Sequence, residues 1–373
     1  MTINPRLRLW SSSFIKAEGT GAVNFGRDVT SHTPLTYPFR IAYLVKLLIF
    51  IALMKKYSLI IVVFCSMARG AFAGEFKPAQ VPANSQWYLH FDVDGFKKGP
   101  LGKFALEQVS KEAGQIDALA LLTQFDPRKD LHGITLFGSV VKDDLIGTVL
   151  VNGSYKKLAD GSPAPLAQLE ALLESTATGF KKEQINGVEI LSWKNKVEDT
   201  QEDKQSFGTF FDKEHMLFGD DRKQLLHALN VLAKKAPSLK ASTLKGLAKE
   251  KGNHYIVGLL HMKGIPIPPE ANFMENVTTI GVSMGESEEN LSVSMQMITT
   301  DEEACAQLQL IMQGFVALAH LSLINNKEPG SKEAMEIFQK INITIKNKTV
   351  FMNLSYPMGK ILELARLQLA KEQ

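Results

Sequence analysis

The sequence predicts an α+β protein in which antiparallel strands and packed helices recur in two similar rounds. Strand segments follow one another directly, they alternate apolar and polar residues, and each group of strands is followed by a segment with helical periodicity. A parallel sheet would instead need a crossover helix between neighbouring strands. We therefore expect a mainly antiparallel sheet with helices packed against it.

The first round begins with the alternating segment Gln86–Asp94, "QWYLHFDVD". Two further strands, "GITLFGSV" and "IGTVLVNG", precede the helix "APLAQLEALLES". The round closes with a tight hairpin and a helix over Gly208–Leu232, in which leucines recur at helical spacing. Asp220 or Asp221 is a natural N-cap for this helix, because a carboxylate can accept from its first free amides.

The second round repeats the order. It begins with "HYIVGLLHM" (His254–Met262), continues with the strands "TTIGVSMG" and "LSVSMQMI", and reaches the long helix "DEEACAQLQLIMQGFVALAHL". Thr300 and Glu303 predict a capping box at the start of that helix. A hairpin and helix over Ile343–Ala370 close the round. The shared order predicts an internal repeat, with halves at 74–237 and 254–373 joined by a linker at 238–253.

A secretory leader is predicted inside the chain, beginning at Met54. Lys55 and Lys56 form its positive region, Leu59–Phe64 its apolar region, and Ala71-Phe72-Ala73 a small-x-small cleavage site before Gly74. The alternative is one spanning helix that includes the apolar run before Met54, but it would place both lysines inside the membrane at about 2.5–3.5 kcal/mol each. We expect cleavage between Ala73 and Gly74, and we interpret residues 1–53 as a mis-annotated upstream extension.

Charge and cysteine content narrow the function classes once the leader is set aside. The whole chain has 42 Lys and Arg against 39 Asp and Glu, but residues 1–73 hold nine of the basic and two of the acidic residues. The mature part is therefore slightly acidic, without the basic surface that nucleic-acid binding needs. Cys305 is its only cysteine, so an internal disulfide is impossible, and we expect the thiol to be buried on a helix.

One motif suggests an enzyme. "YLHFDVDGF" resembles the first motif of haloacid-dehalogenase-type phosphohydrolases, and the resemblance implies that Asp92 attacks phosphorus, Asp94 shuttles a proton and Mg²⁺ screens the charge. "MLFGDD" is similar to the late acidic motif of that family, which implies metal ligation by Asp92, Asp220 and Asp221. The sequence departs from the family at Phe96, where a threonine is usual.

The same four carboxylates also have a structural interpretation, which we prefer. The alternation of the strand places Tyr88, His90, Asp92 and Asp94 on one side, where we expect the carboxylates to stay hydrated. Asp94 would then lead into a turn at Gly95, and Asp94→Ala would cost about 1 kcal/mol. This interpretation leaves the protein without catalytic residues, metal or cofactor.

A second resemblance covers most of residues 80–235. "WYLHFDVDGFKKGPLGKFALEQV" and "LLTQFDPRKDLHGITLFGS" resemble segments of a family of exported proteins found in Planctomycetes and Verrucomicrobia, a family without an assigned activity. The resemblance implies export but no reaction. In the second segment Pro127 fixes a backbone angle, and Asp126 and Asp130 can accept local amide hydrogen bonds.

Three function classes follow. The first is an exported, non-catalytic binding or envelope-associated structural module of the periplasm or cell exterior, with an envelope protein or a small molecule as partner and no stable membrane span after cleavage. The second is a phosphohydrolase using Asp92 and Asp94. The third is a small-molecule or lipid carrier, suggested by the methionine-containing strands of the second round.

Overall fold

The computed structural model describes residues 74–111, 113–141, 144–158, 161–196, 203–240, 253–287, 289–324 and 331–372. All of them belong to one compact unit. The predicted upstream extension and leader lie outside the described residues, and so does most of the predicted linker at 238–253.

Twelve strands form one sheet in which every pair of neighbours is antiparallel. The strands are β1 (Trp87–Asp92), β2 (Leu131–Val141), β3 (Asp144–Gly153), β4 (Thr178–Ile185), β5 (Val188–Lys196), β6 (Asp203–Phe210), β7 (His215–Gly219), β8 (Asn253–His261), β9 (Val277–Glu286), β10 (Asn290–Thr299), β11 (Ile341–Lys346) and β12 (Thr349–Pro357). Their order across the sheet is β11-β12-β10-β9-β8-β1-β2-β3-β7-β6-β5-β4. The predicted α+β class is thus confirmed.

Nine α-helices occur in the described part of the chain. They are α1 (Val93–Lys98), α2 (Pro100–Lys111), α3 (Ala113–Thr123), α4 (Pro127–Asp130), α5 (Ala164–Thr176), α6 (Arg222–Leu232), α7 (Glu302–Ile324), α8 (Ser331–Gln339) and α9 (Met358–Glu372). Short 3₁₀ turns occupy Pro78–Gln80 and Pro269–Met274. The sequence interpretation had identified α5, α6, α7 and α9. It gave no helix for α3 or α8, and it placed turns where α1 and α4 lie.

Two helix starts test the capping predictions. Asp221 caps α6, because its Oδ1 accepts from the amide of Gln224 at 2.7 Å, as expected. The capping box predicted from Thr300 is wrong. α7 begins at Glu302, and Asp301 is its cap, with Oδ1 accepting from the amide of Ala304 at 2.8 Å. The cap therefore lies one residue later than the sequence pattern suggested.

The opening strands of the two rounds are neighbours at the centre of the sheet. β1 pairs with β8 from Trp87↔Leu260 to Phe91↔Ile256, and β2 and β9 flank the pair on either side. From the centre outward, β1-β2-β3-β7-β6 and β8-β9-β10-β12-β11 follow the same order. The hairpin β4–β5 extends the first half beyond this pattern.

The β4–β5 hairpin was not predicted, although the sequence carries its turn signal. Asn186 and Gly187 connect the two strands, and both have positive φ, at 52° and 81°. Asn-Gly between strand-forming residues favours a two-residue hairpin turn, because both types tolerate this backbone conformation. The signal lay in "QINGVEI".

The two sides of the sheet have different cores. On one side, Tyr88, Phe137, Leu150 and Leu217 pack under α6, which contributes Leu225, Ala228 and Leu229. We call this side the α6 face. On the opposite side, α7 packs Cys305, Leu308 and Met312 against Ile280, Met297 and Val350. Cys305 is fully buried there, as predicted.

Candidate functional site

Asp92 ends β1 and caps the helix that follows. Its Oδ1 accepts from the amide of Gly95 at 2.8 Å, which satisfies one of the free donors at the start of α1. Burial raises the pKa of this carboxyl, and the charge of Asp94 acts in the same direction, whereas the bond from Gly95 lowers it. The carboxyl that the phosphohydrolase resemblance implies as a nucleophile thus caps a helix.

Asp94 is the centre of a buried polar cluster. Its Oδ2 accepts from His132 Nδ1 at 3.0 Å, and its Oδ1 lies 3.7 Å from Lys97 Nζ. Lys97 also donates to the carbonyl of Leu131 at 2.7 Å. The side chains of Asp94 and Lys97 are each only 3% exposed. The cluster links α1 to the first residues of β2.

The expectation that Asp94 stays hydrated at a turn is therefore wrong. Asp94 lies inside α1, because Asp92 caps a helix where the sequence suggested a turn at Gly95. The alternation argument assumed that one side of β1 faces water. β1 is instead the centre of a twelve-stranded sheet, and Tyr88 and His90 are buried on the α6 face.

Asp220 and Asp221, the late acidic pair, lie away from Asp92 in the sheet. Asp92 pairs with Gly133 in β2, and Gly133 pairs with Asn152 in β3. Gly219, directly before Asp220, pairs instead with Thr148, four residues away from Asn152 along β3. β1 and β7 run in opposite directions. Asp92, the last residue of β1, and Asp220, directly after β7, therefore lie toward opposite ends of the strands.

The three proposed metal ligands are therefore not brought together. Asp220 forms an ion pair with Lys204, and Asp221 caps α6. Within the described residues no group of three or more His, Cys, Asp or Glu side chains has the arrangement of a metal site. The site implied by the phosphohydrolase resemblance is not assembled.

A serine extends the buried cluster to the surface. His132 Nε2 lies 2.7 Å from Ser154 Oγ, so that Asp94, His132 and Ser154 form a hydrogen-bonded chain. A carboxylate only accepts, so Nδ1 donates to Asp94, and Nε2 shares the second hydrogen bond with the Ser154 hydroxyl. This is the order of contacts found in serine hydrolases. Sequence reasoning missed it, because the three residues are distant in the chain and have no local motif.

The backbone around Ser154 does not complete such a site. Acyl transfer needs amide donors directed at the developing oxyanion. The amides of Gly153, Ser154 and Tyr155 donate instead to the carbonyls of Glu214, Asp130 and Lys213, at 2.9, 2.7 and 2.9 Å. The hydrogen bonds of this segment fix the end of β3 against its neighbours, and His132 joins Ser154 to Asp94 in α1.

We expect Ser154 to be unreactive toward a fluorophosphonate probe, which labels activated serines. Without free amide donors beside it, the hydroxyl gains little from its bond to His132. The measurement is intact-mass analysis after incubation, with an active serine hydrolase treated in parallel. Labelling at Ser154 that disappears in His132→Ala would contradict this expectation.

A different feature dominates the surface of α7. Leu310, Leu318 and Leu321 are 67%, 57% and 59% exposed, and Ile324 is more than half exposed. Their spacing of eight, three and three residues places them on one side of the helix, opposite the buried Cys305, Leu308 and Met312. We call this set the α7 stripe. From Ala304 to Ile324 the helix contains no Asp, Glu, Lys or Arg.

By length and composition α7 could cross a membrane, and it is the one helix of the described residues that meets this criterion. A core helix of a soluble protein can also be this apolar, but such a helix is mostly buried. α7 is apolar on the side that meets the sheet and on the side that does not. The exposed stripe therefore needs an explanation beyond the packing of the core.

Fold and site together define an α+β protein with an antiparallel sheet, a buried polar cluster and an apolar helix surface. No protein-family model matches the chain, and no curated protein is significantly similar to it. Solved structures of three crystal forms of TP0453 are similar at a TM-score of 0.39. Crystal forms III and I each cover 78% of this chain and 97% of their own, with 8% and 7% identity. Crystal form IV covers 80% and 99%, with 9% identity. At this level the similarity carries no argument about function.

Proposed function

We propose that this protein is an exported, non-catalytic, envelope-associated module that binds a membrane surface through the α7 stripe. The observation that carries the proposal is the exposure of four large aliphatic side chains on one side of a helix that has no Asp, Glu, Lys or Arg after Glu303. The predicted leader supports export, and export brings the chain to the membranes of the envelope. The carboxylates that suggested catalysis are used for capping and for the buried cluster.

A lipid surface suits the stripe better than an aqueous one. Each fully buried leucine gains about 1.5–3 kcal/mol on leaving water, so three leucines inserted even partly would bind detectably. The stripe has no charged group that would have to be desolvated. The mature chain is slightly acidic, so we expect binding to depend on apolar contact and to change little with salt.

The helix is proposed to lie in the membrane interface without spanning the bilayer. Its opposite side holds Cys305, Leu308 and Met312 in the core, next to Met297 and Val350. Insertion across the bilayer would remove these contacts and expose the sheet beneath them. Shallow burial of one side retains the core contacts, which is how interfacial helices bind.

The repeated strand order supports an ancestral duplication. Each half would contribute one opening strand to the centre, two further strands, a helix and a closing hairpin with its helix. The halves differ in the helix that follows the third strand, because α5 has 13 residues and α7 has 23. In this proposal the membrane contact belongs to the second half alone.

The methionines that suggested a carrier have another role. Met297 is buried in the core beneath α7, and Met284 packs against the cluster around Tyr255 and Met358. Flexible thioether side chains fill irregular gaps of this kind in protein cores. Core packing thus accounts for these methionines, which had suggested a carrier cavity.

The double substitution Leu318→Gln, Leu321→Gln is expected to reduce membrane binding at least tenfold. Each change replaces an exposed leucine, so the fold should be retained while apolar contact is lost, and a tenfold loss corresponds to about 1.4 kcal/mol. Flotation of purified exported protein with phosphatidylcholine vesicles measures the bound fraction.

Leu172→Gln is the matched control. Leu172 is 57% exposed on α5, in the first half, and its substitution should leave the floated fraction unchanged. A protein that stays at the bottom of the gradient in every form would refute the proposal. Loss of a dimer on substitution, measured by light scattering, would identify the stripe as a contact between copies instead.

A further inference from the structure

We propose that cleavage between Ala73 and Gly74 creates an α-ammonium group that pairs with the carboxylate of Asp92 and locks the first residues of the mature chain onto the sheet. The inference rests on the export part of the proposed function and not on membrane binding. It concerns a contact that exists only after processing.

Gly74 occupies a confined position beside the acidic cluster. It is buried, and its carbonyl accepts from His90 Nε2 at 2.7 Å. A Cβ at residue 74 would overlap Asp92 Oδ1 and the carbonyl of His132, and it would lie 3.1 Å from the Cβ of Asp94. Only glycine fits here without displacing backbone atoms. Glycine, which has no side chain, thus stands at the position that would become the first residue of the mature chain after the predicted cleavage.

The α-nitrogen of Gly74 lies close to Asp92 for a geometric reason. The nitrogen and a Cβ are both bonded to the same Cα, so the two positions are about 2.5 Å apart. Because a Cβ would overlap Asp92 Oδ1, the nitrogen lies within roughly 5 Å of that oxygen. A small rotation of the terminal residue would bring the two into hydrogen-bond contact, since cleavage removes the chain before it.

The electrostatics of this corner favour a cation. Asp92 and Asp94 lie together, and Lys97 is engaged with Asp94 and with the carbonyl of Leu131. Around Asp92 the other charged groups are Glu75, which raises its pKa, and Lys98, which lowers it. Burial of the carboxyl is the largest cause of its raised pKa. An added positive charge within contact distance would offset both the burial and the repulsion between the carboxylates.

Processing supplies this charge. Hydrolysis adds one water across the Ala73–Gly74 peptide bond, so that Ala73 leaves with a carboxylate and Gly74 keeps an amine. The bonded amide was neutral, whereas a free α-amino group has a pKa of about 7.7–8.0 and is mostly protonated at neutral pH. The carboxylates beside it would raise that pKa further.

The lock would stabilise the segment that covers the α6 face next to β1. Phe76 stacks on Tyr88 with ring centroids 4.8 Å apart, and it also contacts His90 at 5.3 Å. Val81, five residues later, is fully buried in the core under α6. Fixing Gly74 would limit the motion of Phe76, so the ion pair would hold this part of the core more firmly in the processed protein.

The experiment is a double-mutant cycle on the purified exported protein. N-terminal sequencing first identifies the first residue. The α-amine is then acetylated selectively at mild pH, and unfolding by urea is measured for acetylated and free forms of the wild type and of Asp92→Asn. Asparagine remains a good N-cap, so this variant retains the bond from Gly95 and the fold.

We expect acetylation to reduce the folding equilibrium constant at least tenfold in the wild type and less than twofold in Asp92→Asn. Asp221→Asn is the control, because it changes the other carboxylate N-cap at a distance from Gly74 and should retain the full effect of acetylation. An equal effect of acetylation in wild type and Asp92→Asn would overturn the ion pair. A first residue other than Gly74, including a chain that retains residues 1–53, would overturn the processing site and the proposal with it, and vesicle binding would be unaffected by either result.

Discussion

Replacing Asp94 by alanine is expected to destabilise the protein by about 3–5 kcal/mol, several times the cost that the sequence suggested. Removing one partner of a buried ion pair leaves the other charge without compensation in a medium that solvates it poorly. Here Lys97 would keep only its hydrogen bond to the carbonyl of Leu131 among the contacts described above, and His132 would lose its acceptor at Nδ1. Equilibrium unfolding in urea measures the change.

Two variants separate the buried charge from simple loss of contacts. The double substitution Asp94→Asn, Lys97→Met removes both charges and should recover much of the lost stability, because buried ion pairs are often replaceable by neutral groups. Asp221→Ala, which removes a cap at the surface, should cost only about 1 kcal/mol. If Asp94→Ala reduced the free energy of unfolding no more than Asp221→Ala, the buried cluster would contribute no more to stability than a surface helix cap.

Acid should destabilise the protein through His90. Burial lowers the pKa of His90 to about 4, while the unfolded chain titrates near 6.5. The unfolded state therefore binds the proton first, and the stability present above pH 6.5 is lost as the pH falls toward 4. The difference between these two pKa values corresponds to about 3 kcal/mol in the free energy of unfolding. In the neutral ring both nitrogens have partners, because Nε2 donates to the carbonyl of Gly74 and Nδ1 can accept from the Thr135 hydroxyl, 2.9 Å away.

The test is the pH dependence of the free energy of unfolding between pH 7 and 4. His90→Gln should be less stable at pH 7, because its hydrogen bonds are disturbed, but its stability should fall less steeply with acid. His227→Gln, at an exposed contact with Asn84, should retain the slope of the wild type. A slope unchanged in His90→Gln would assign the acid sensitivity to other groups.

The succession of strands along the chain was predictable, because it depends on local signals. Alternation identified β1, β2, β3, β8, β9 and β10, and adjacency without crossover helices indicated antiparallel pairing. The position of each strand within the sheet was not predictable in the same way. Whether Tyr88 and His90 face water or a core depends on α6, which is far away in the chain, and on Phe76, which folds back onto β1 from the segment before it.

The candidate site was beyond sequence reasoning for the same reason. Asp94, His132 and Ser154 belong to α1, the start of β2 and the residue after β3, and only the fold brings them into contact. The α7 stripe was also hidden, because an apolar helix in a sequence does not reveal which of its sides is covered. Cys305 was placed correctly, since its small apolar neighbours are typical of a helix side that packs on a sheet.

The pairing of β1 with β8 has a consequence for how the chain folds. The partners Trp87 and Leu260 are separated by most of the first half, so the central strand pairing is among the long-range contacts of the sheet. Such contacts form slowly, because a long loop must close before they contribute any stabilisation. If the chain is exported as proposed, its first half would reach the far side of the membrane with one edge of β1 open, because β8 follows some 160 residues later. Until then the nascent chain exposes an unpaired strand edge, the kind of surface that aggregates unless it is shielded. Folding of the sheet is therefore expected to be late and cooperative, and to need holding chaperones that a protein with two independent sheets would not need.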